Sequence, residues 1–152
     1  MREQIGRQHP AEGVYILRGL PTIVFLTVCS WKRRPALANP NVHEALVESW
    51  READAWSVGF YMIMPDHVHL FCAPNDENCA IERWITFWKR RVRHRLKTDM
   101  PLFQAHGFHH RLRRNESFSD KWAYVRLNPV RAGLVAEADQ WPYQGVLNQL
   151  RW

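Results

Sequence analysis

The run SVGFYMIMPDHVHLFCAP, residues 57–74, limits the architecture more than any other stretch of this sequence. Ser57 to Met64 is apolar and rich in strand-forming residues, Pro65-Asp66 supplies turn chemistry, and His67 to Pro74 resumes the apolar run. The pattern predicts two strands folded back on one another through a tight turn. A further strand is predicted over Pro21 to Trp31, PTIVFLTVCSW, from its β-branched and aromatic content. From Asn41 to Trp56, Val42, Leu46, Val47 and Trp50 recur at helical steps between Glu44, Glu48 and Glu52. After NDEN, which offers helix caps, a long amphipathic helix carries Ile81, Ile85, Trp88 and Val92 on one stripe. GFHHRLR reads as a short fourth strand. A last helix starts at Ser117, with Asp120 as a capping partner, and is ended or bent by Pro129. The order β-α-β-β-α-(β)-α implies an α+β fold: a ferredoxin-like antiparallel sheet with helices packed on one face.

At 152 residues the chain is one domain long. We divide it into an N-terminal arm (1–20), a main domain (21–135) and a C-terminal tail packed on that domain (136–152). Three cysteines without a CxxC pair fit reduced thiols. No apolar segment reaches the length of a membrane helix, and the N-terminus lacks the apolar core of a signal peptide, so a cytoplasmic location is expected. The net charge of +6 is unevenly placed. Between Arg83 and Arg131 there are 13 Lys and Arg against three acids, a net of +10, and the rest of the chain carries 8 bases against 12 acids, a net of −4. Such a half either meets a polyanion, most simply nucleic acid, or is only a solvated helix face. Lys89, Arg90, Arg91, Arg93 and Arg95 are the candidate phosphate contacts on the long helix, with Lys121 and Arg126 on the last one.

The chemistry sits in two pieces. His67 and His69 are two apart on a strand and project to one face, with Val68 on the other. Together they can offer two nitrogen ligands to a divalent cation. An H-x-H pair also arises by chance in a chain with eight histidines. This one opens an otherwise apolar strand, where a buried imidazole needs a partner. In KWAYVRLNPVRAGLV, Phe118, Trp122 and Val125 form the core stripe, while Tyr124 lies off it with Asn128 four residues on. Read alone, Tyr124 is an amphipathic residue at the core rim. Read with the histidines, two imidazoles and one amide oxygen make a three-ligand site beside a phenol able to attack a phosphodiester.

At these residues the sequence closely resembles the single-tyrosine transposases of the HUH superfamily, and among them the REP-associated tyrosine transposases. MPDHVHL followed by YVRLNPVRAGLV carries the resemblance, which runs from about Pro21 to Val135. It implies His67 and His69 as metal ligands, Tyr124 as nucleophile and Asn128 in the place of the third polar ligand. It also implies Mg²⁺ or Mn²⁺, and single-stranded DNA with hairpins as substrate. Cleavage would leave a 5′-phosphotyrosine and a free 3′-OH. Leu70 stands third in the triplet and supplies no ligand, and Phe103 stands where relatives often carry Trp before Gln. The resemblance leaves open a monomer or a homodimer.

Two other readings make different predictions. A non-enzymatic nucleic-acid-binding module of ferredoxin-like form would use the sheet face and Arg and Trp side chains. A metal-dependent phosphodiesterase would use water as its nucleophile. His106, His109 and His110 are expected as surface loop residues, with contact to DNA or metal as the alternative, and Trp84 as core or as a base-stacking platform.

Overall fold

The computed structural model describes residues 7–9, 14–15, 22–112 and 118–150. Arg7–His9 (β1) and Val14–Tyr15 (β2) pair as a small antiparallel ribbon within the stretch expected as an arm. The main sheet holds Val24–Cys29 (β3), Trp56–Ile63 (β4), His67–Pro74 (β5), Phe108–Arg111 (β6) and Gln144–Val146 (β7). All its pairings are antiparallel, in the order β6-β3-β5-β4-β7. The helices are Pro40–Glu52 (α1), Ile81–Leu96 (α2), Phe118–Arg126 (α3) and Asn128–Arg131 (α4). Among the described residues no helix is long and apolar enough to cross a membrane.

The fold is α+β with an antiparallel sheet of five strands. The fifth, β7, comes from the tail and pairs along β4; three residues around Gly145 are too few to announce a strand by pattern. α1 starts where chemistry favours it: the Asn39 side chain accepts from Val42 N at 3.0 Å, and Pro40 occupies the first turn, where its missing N–H costs nothing. α2 has no side-chain cap at Ala80. Asp76, from the NDEN segment, instead accepts from Asn78 N and shapes the preceding turn. Ser117, the expected start of the last helix, lies outside the described residues, as does the side chain of Phe118.

Alternation along the strands divides the interior. Val24, Leu26 and Val28 of β3 and Val68, Leu70 and Cys72 of β5 face α1 and α2, where Trp50, Trp56, Trp84 and Trp88 complete the main core. Each such fully buried apolar side chain contributes about 1.5–3 kcal/mol. Trp84 is 1% exposed, stacks on Trp56, and donates Nε1–H to Ala53 O, so it offers no face to a base. The expectation of helices on one face describes α1 and α2. α3 lies across the opposite face, because Trp122 and Val125 need apolar partners and find Phe60, Phe71, Met62 and Met64 there. That face is the one to which His67 and His69 project.

Candidate active site

β3 and β5 pair in register, with Thr27 opposite His69 and Cys29 opposite His67. The two imidazoles stand edge to face, ring centroids 4.7 Å apart. Each has one nitrogen already engaged. His67 Nδ1 lies 2.8 Å from Asp66 Oδ1 and must be the donor, since the carboxylate carries no proton. His69 Nδ1 lies 2.8 Å from Thr27 Oγ1, and the His69 ring stacks on Phe25. Burial, reinforced by the nearby charges of His67 and Lys121, pushes the His69 imidazolium down to about 4, so His69 is neutral at physiological pH. Burial alone would raise the Asp66 carboxyl, but hydrogen bonds from His67 and Arg33 and the Arg33 charge outweigh it, holding Asp66 below the usual carboxylate range.

An open cleft of about 730 Å³ joins this pair to α3 and α4. His67, His69, Lys121, Tyr124, Asn128 and Arg131 line it, over a floor that includes Phe25, Met64 and Val125. The docking of α3 sets the arrangement. Trp122 lies nearly parallel on Phe60 at 4.6 Å, and Val125 packs beside Met62, Met64 and Trp141, which turns Tyr124 outward to 66% exposure. Lys121 Nζ sits 4.8 Å over the Phe25 ring. The helix breaks at Leu127 and resumes as α4, because Pro129 has no N–H to continue the ladder. Arg131 then folds back over the Tyr124 ring at 4.0 Å, donating to Tyr124 O at 2.8 Å and to Asn128 Oδ1.

The structure therefore brings together His67, His69, Tyr124, Asn128 and Lys121. Arg126 is turned away into an ion pair with Asp139. The α2 cations lie on the other layer and are not equivalent. Arg91 and Arg95 both pair with Glu52. Lys89 donates to Gln104 O at 2.7 Å, and burial pushes its ammonium down to about 8. Arg90 is exposed, and Arg93 donates to the Asp99 carbonyl. His106 is exposed as expected of a loop, but His109 and His110 belong to β6, and His109 is buried against Glu82 at 3.3 Å. Sequence reasoning missed Asp66, Thr27 and Arg131. Asp66 stands beside His67 in the sequence, but Pro65-Asp66 also reads as plain turn chemistry; Thr27 and Arg131 carry no local signal.

Among the described residues no three His, Cys, Asp or Glu side chains group as a metal site. The groups lining the cleft that could meet a cation include the second nitrogen of each imidazole and the Asn128 amide oxygen, which here accepts from Arg131. Two imidazole nitrogens with an amide oxygen suit a divalent ion that keeps open positions.

None of the protein-family models matches the chain. The REP-associated tyrosine transposase of Escherichia coli strain K12 is 23% identical over 123 residues, covering 78% of this chain and 73% of that protein. A solved structure of the REP-associated tyrosine transposase bound to a REP hairpin superposes with a TM-score of 0.68 at 18% identity, covering 87% of this chain and 81% of that one. The chain resembles the REP-associated tyrosine transposases in sequence and in fold. The structural likeness establishes the shared fold, and the site chemistry rests on the cleft itself.

Proposed function

We propose that the chain is a metal-dependent tyrosine transposase that nicks hairpin-bearing single-stranded DNA and transfers the strand through a 5′-phosphotyrosine link. The observation that carries this reading is the convergence of an imidazole pair on β5 and an exposed phenol on α3 in one cleft, from segments more than fifty residues apart. A curated relative named as a tyrosine transposase and a fold shared with a hairpin-bound one support it.

In this reading His67 and His69 would hold Mg²⁺ or Mn²⁺ through the nitrogens not engaged by Asp66 and Thr27, with Asn128 as third ligand once its oxygen leaves Arg131. Such an ion would neutralise charge accumulating on the scissile phosphate. Lys121 and Arg131 add fixed positive charge on the cleft wall and draw the backbone in. Tyr124 Oη attacks phosphorus and loses its proton to solvent at the open side of the cleft. The bond from phosphorus to the 3′ oxygen breaks, and that oxygen leaves as a 3′-OH with a proton from solvent. The phosphotyrosine bond preserves the energy of the original phosphodiester, so a second 3′-OH can rejoin the strand.

The test is adduct formation between the protein and a labelled hairpin oligonucleotide. Wild type with Mn²⁺ should form a band stable to denaturation. Tyr124→Phe should form none while keeping DNA affinity within about twofold, and chelator should remove the band without removing binding. Undiminished adduct in Tyr124→Phe would strip Tyr124 of the role. Cleavage without any adduct would favour a water nucleophile, and binding without cleavage would favour a module that only binds.

A further inference from the structure

The histidine pair is braced from behind by groups the proposed chemistry does not use. Asp66 Oδ1 accepts from His67 Nδ1 at 2.8 Å, while its Oδ2 accepts from Arg33 Nε at 3.0 Å and Nη2 at 2.8 Å. Arg33 also directs Nη1 to Cys29 Sγ at 3.0 Å, and Cys29 is the residue opposite His67 across the sheet. The backbone is built around this contact. Lys32 and Arg33 are successive non-glycine residues with φ of 56° and 53°, a left-handed region that L side chains rarely adopt. The turn is closed by Arg33 N to Ser30 O at 3.0 Å and by Ser30 Oγ to Arg34 O at 2.7 Å. It is fastened to the opposite hairpin by Ser30 N to Asp66 O at 2.9 Å. An unfavourable backbone conformation held by three hydrogen bonds, all aiming one guanidinium at one carboxylate, is more than a surface ion pair requires.

We infer that Asp66 and Arg33 are positioning residues for this site: the carboxylate holds the His67 imidazole in its Nδ1–H form with Nε2 turned to the cleft, and Arg33 holds the carboxylate. The inference rests on the reading of His67 as a metal ligand only for its consequence; the orientation of the ring is a property of the metal-free chain. A neutral imidazole has one lone pair. A carboxylate at Nδ1 fixes that lone pair on Nε2 and makes it more basic, which is how a partner behind a ligand raises affinity without touching the ion. Without Asp66 the ring is free to protonate Nε2 instead, and the nitrogen facing the cleft then carries a hydrogen.

The experiment uses the whole chain, labelled with ¹⁵N at histidine and free of metal, at about pH 8, where long-range ¹H–¹⁵N spectra distinguish the tautomers. Wild type should show His67 as Nδ1–H. Asp66→Ala should shift it towards Nε2–H, and Arg33→Gln should give an intermediate population. In parallel, Mn²⁺ titration followed by electron paramagnetic resonance should show affinity about 10–100-fold weaker in Asp66→Ala. Asp66→Asn and Arg33→Gln should fall between that variant and wild type. Melting curves of the three variants identify any loss that reflects unfolding. A His67 ring already Nε2–H in wild type overturns the inference. So does a tautomer and Mn²⁺ affinity unmoved by Asp66→Ala. A wild type that takes up no Mn²⁺ removes the metal reading alone, and the Asp66 dependence of the tautomer still decides the orientation.

Discussion

Trp122→Ala should dismantle the cleft without touching a reacting group. Trp122 is the main apolar anchor of α3, lying on Phe60 at 4.6 Å with its edge towards Phe71. It is partly exposed, so truncation returns less than a full indole to water. Taking roughly 100 Å² of lost apolar burial at about 25 cal/mol per Å² gives about 2.5 kcal/mol. The offset stack on Phe60 adds about 1 kcal/mol. A loss of about 3.5 kcal/mol lowers the Tm of a domain of this size by roughly 7–14 °C if α3 unfolds with the rest. If α3 detaches alone, the melt of the sheet moves less, but Tyr124 leaves the histidines. In both cases adduct yield should fall at least tenfold at temperatures where circular dichroism still reports a folded sheet. Trp122→Phe, which keeps a ring on Phe60, should recover most of both. A Tm within about 1 °C of wild type together with undiminished adduct would refute the assignment of Trp122 as the element that delivers the tyrosine.

The α2 cations should separate into two classes by salt dependence of DNA binding. Arg90→Gln with Arg93→Gln should reduce the slope of log affinity against log salt by about 1–2, whereas Arg91→Gln with Arg95→Gln should reduce it less, because the single Glu52 carboxylate engages both guanidiniums and offsets part of their charge; equal effects would contradict the distinction. Stability should also depend on pH through His69. With a folded value of about 4 against 6.5 in the unfolded chain, the unfolded state binds more protons between the two. The stability is whole above pH 6.5, falls as pH drops, and is reduced by about 3 kcal/mol below pH 4. Urea melts of wild type and His69→Gln across that range should differ in slope, and parallel curves would show that His69 is not buried neutral.

The strand-turn-strand at residues 57–74 was legible because turn chemistry and apolar runs agreed locally, and β5 begins and ends where the pattern places it. The stripe of Trp122 and Val125 with Tyr124 off it was likewise a matter of helical spacing. The side of the sheet that α3 takes could not be read, since it depends on a patch assembled from Phe60, Phe71, Met62 and Met64 in two strands. β7 escaped notice because it is three residues long and owes its pairing to the free edge of β4. The partners behind the histidines were hidden for a related reason. Thr27 meets His69 only through β3–β5 register, and Arg33 reaches Asp66 only through a left-handed turn. A list of basic residues on α2 could not show that Glu52, from α1, already occupies two of them.

The imidazole pair and the phenol of α3 are proposed to serve one ion in one cleft. Crystals of the chain soaked in Mn²⁺ test it most directly, by the anomalous signal of the metal. A single peak is expected in contact with the Nε2 atoms of both His67 and His69, on the side of the sheet that Tyr124 occupies. A peak held elsewhere, or none at a pair whose Nε2 atoms prove to be bonded to protein, would contradict it.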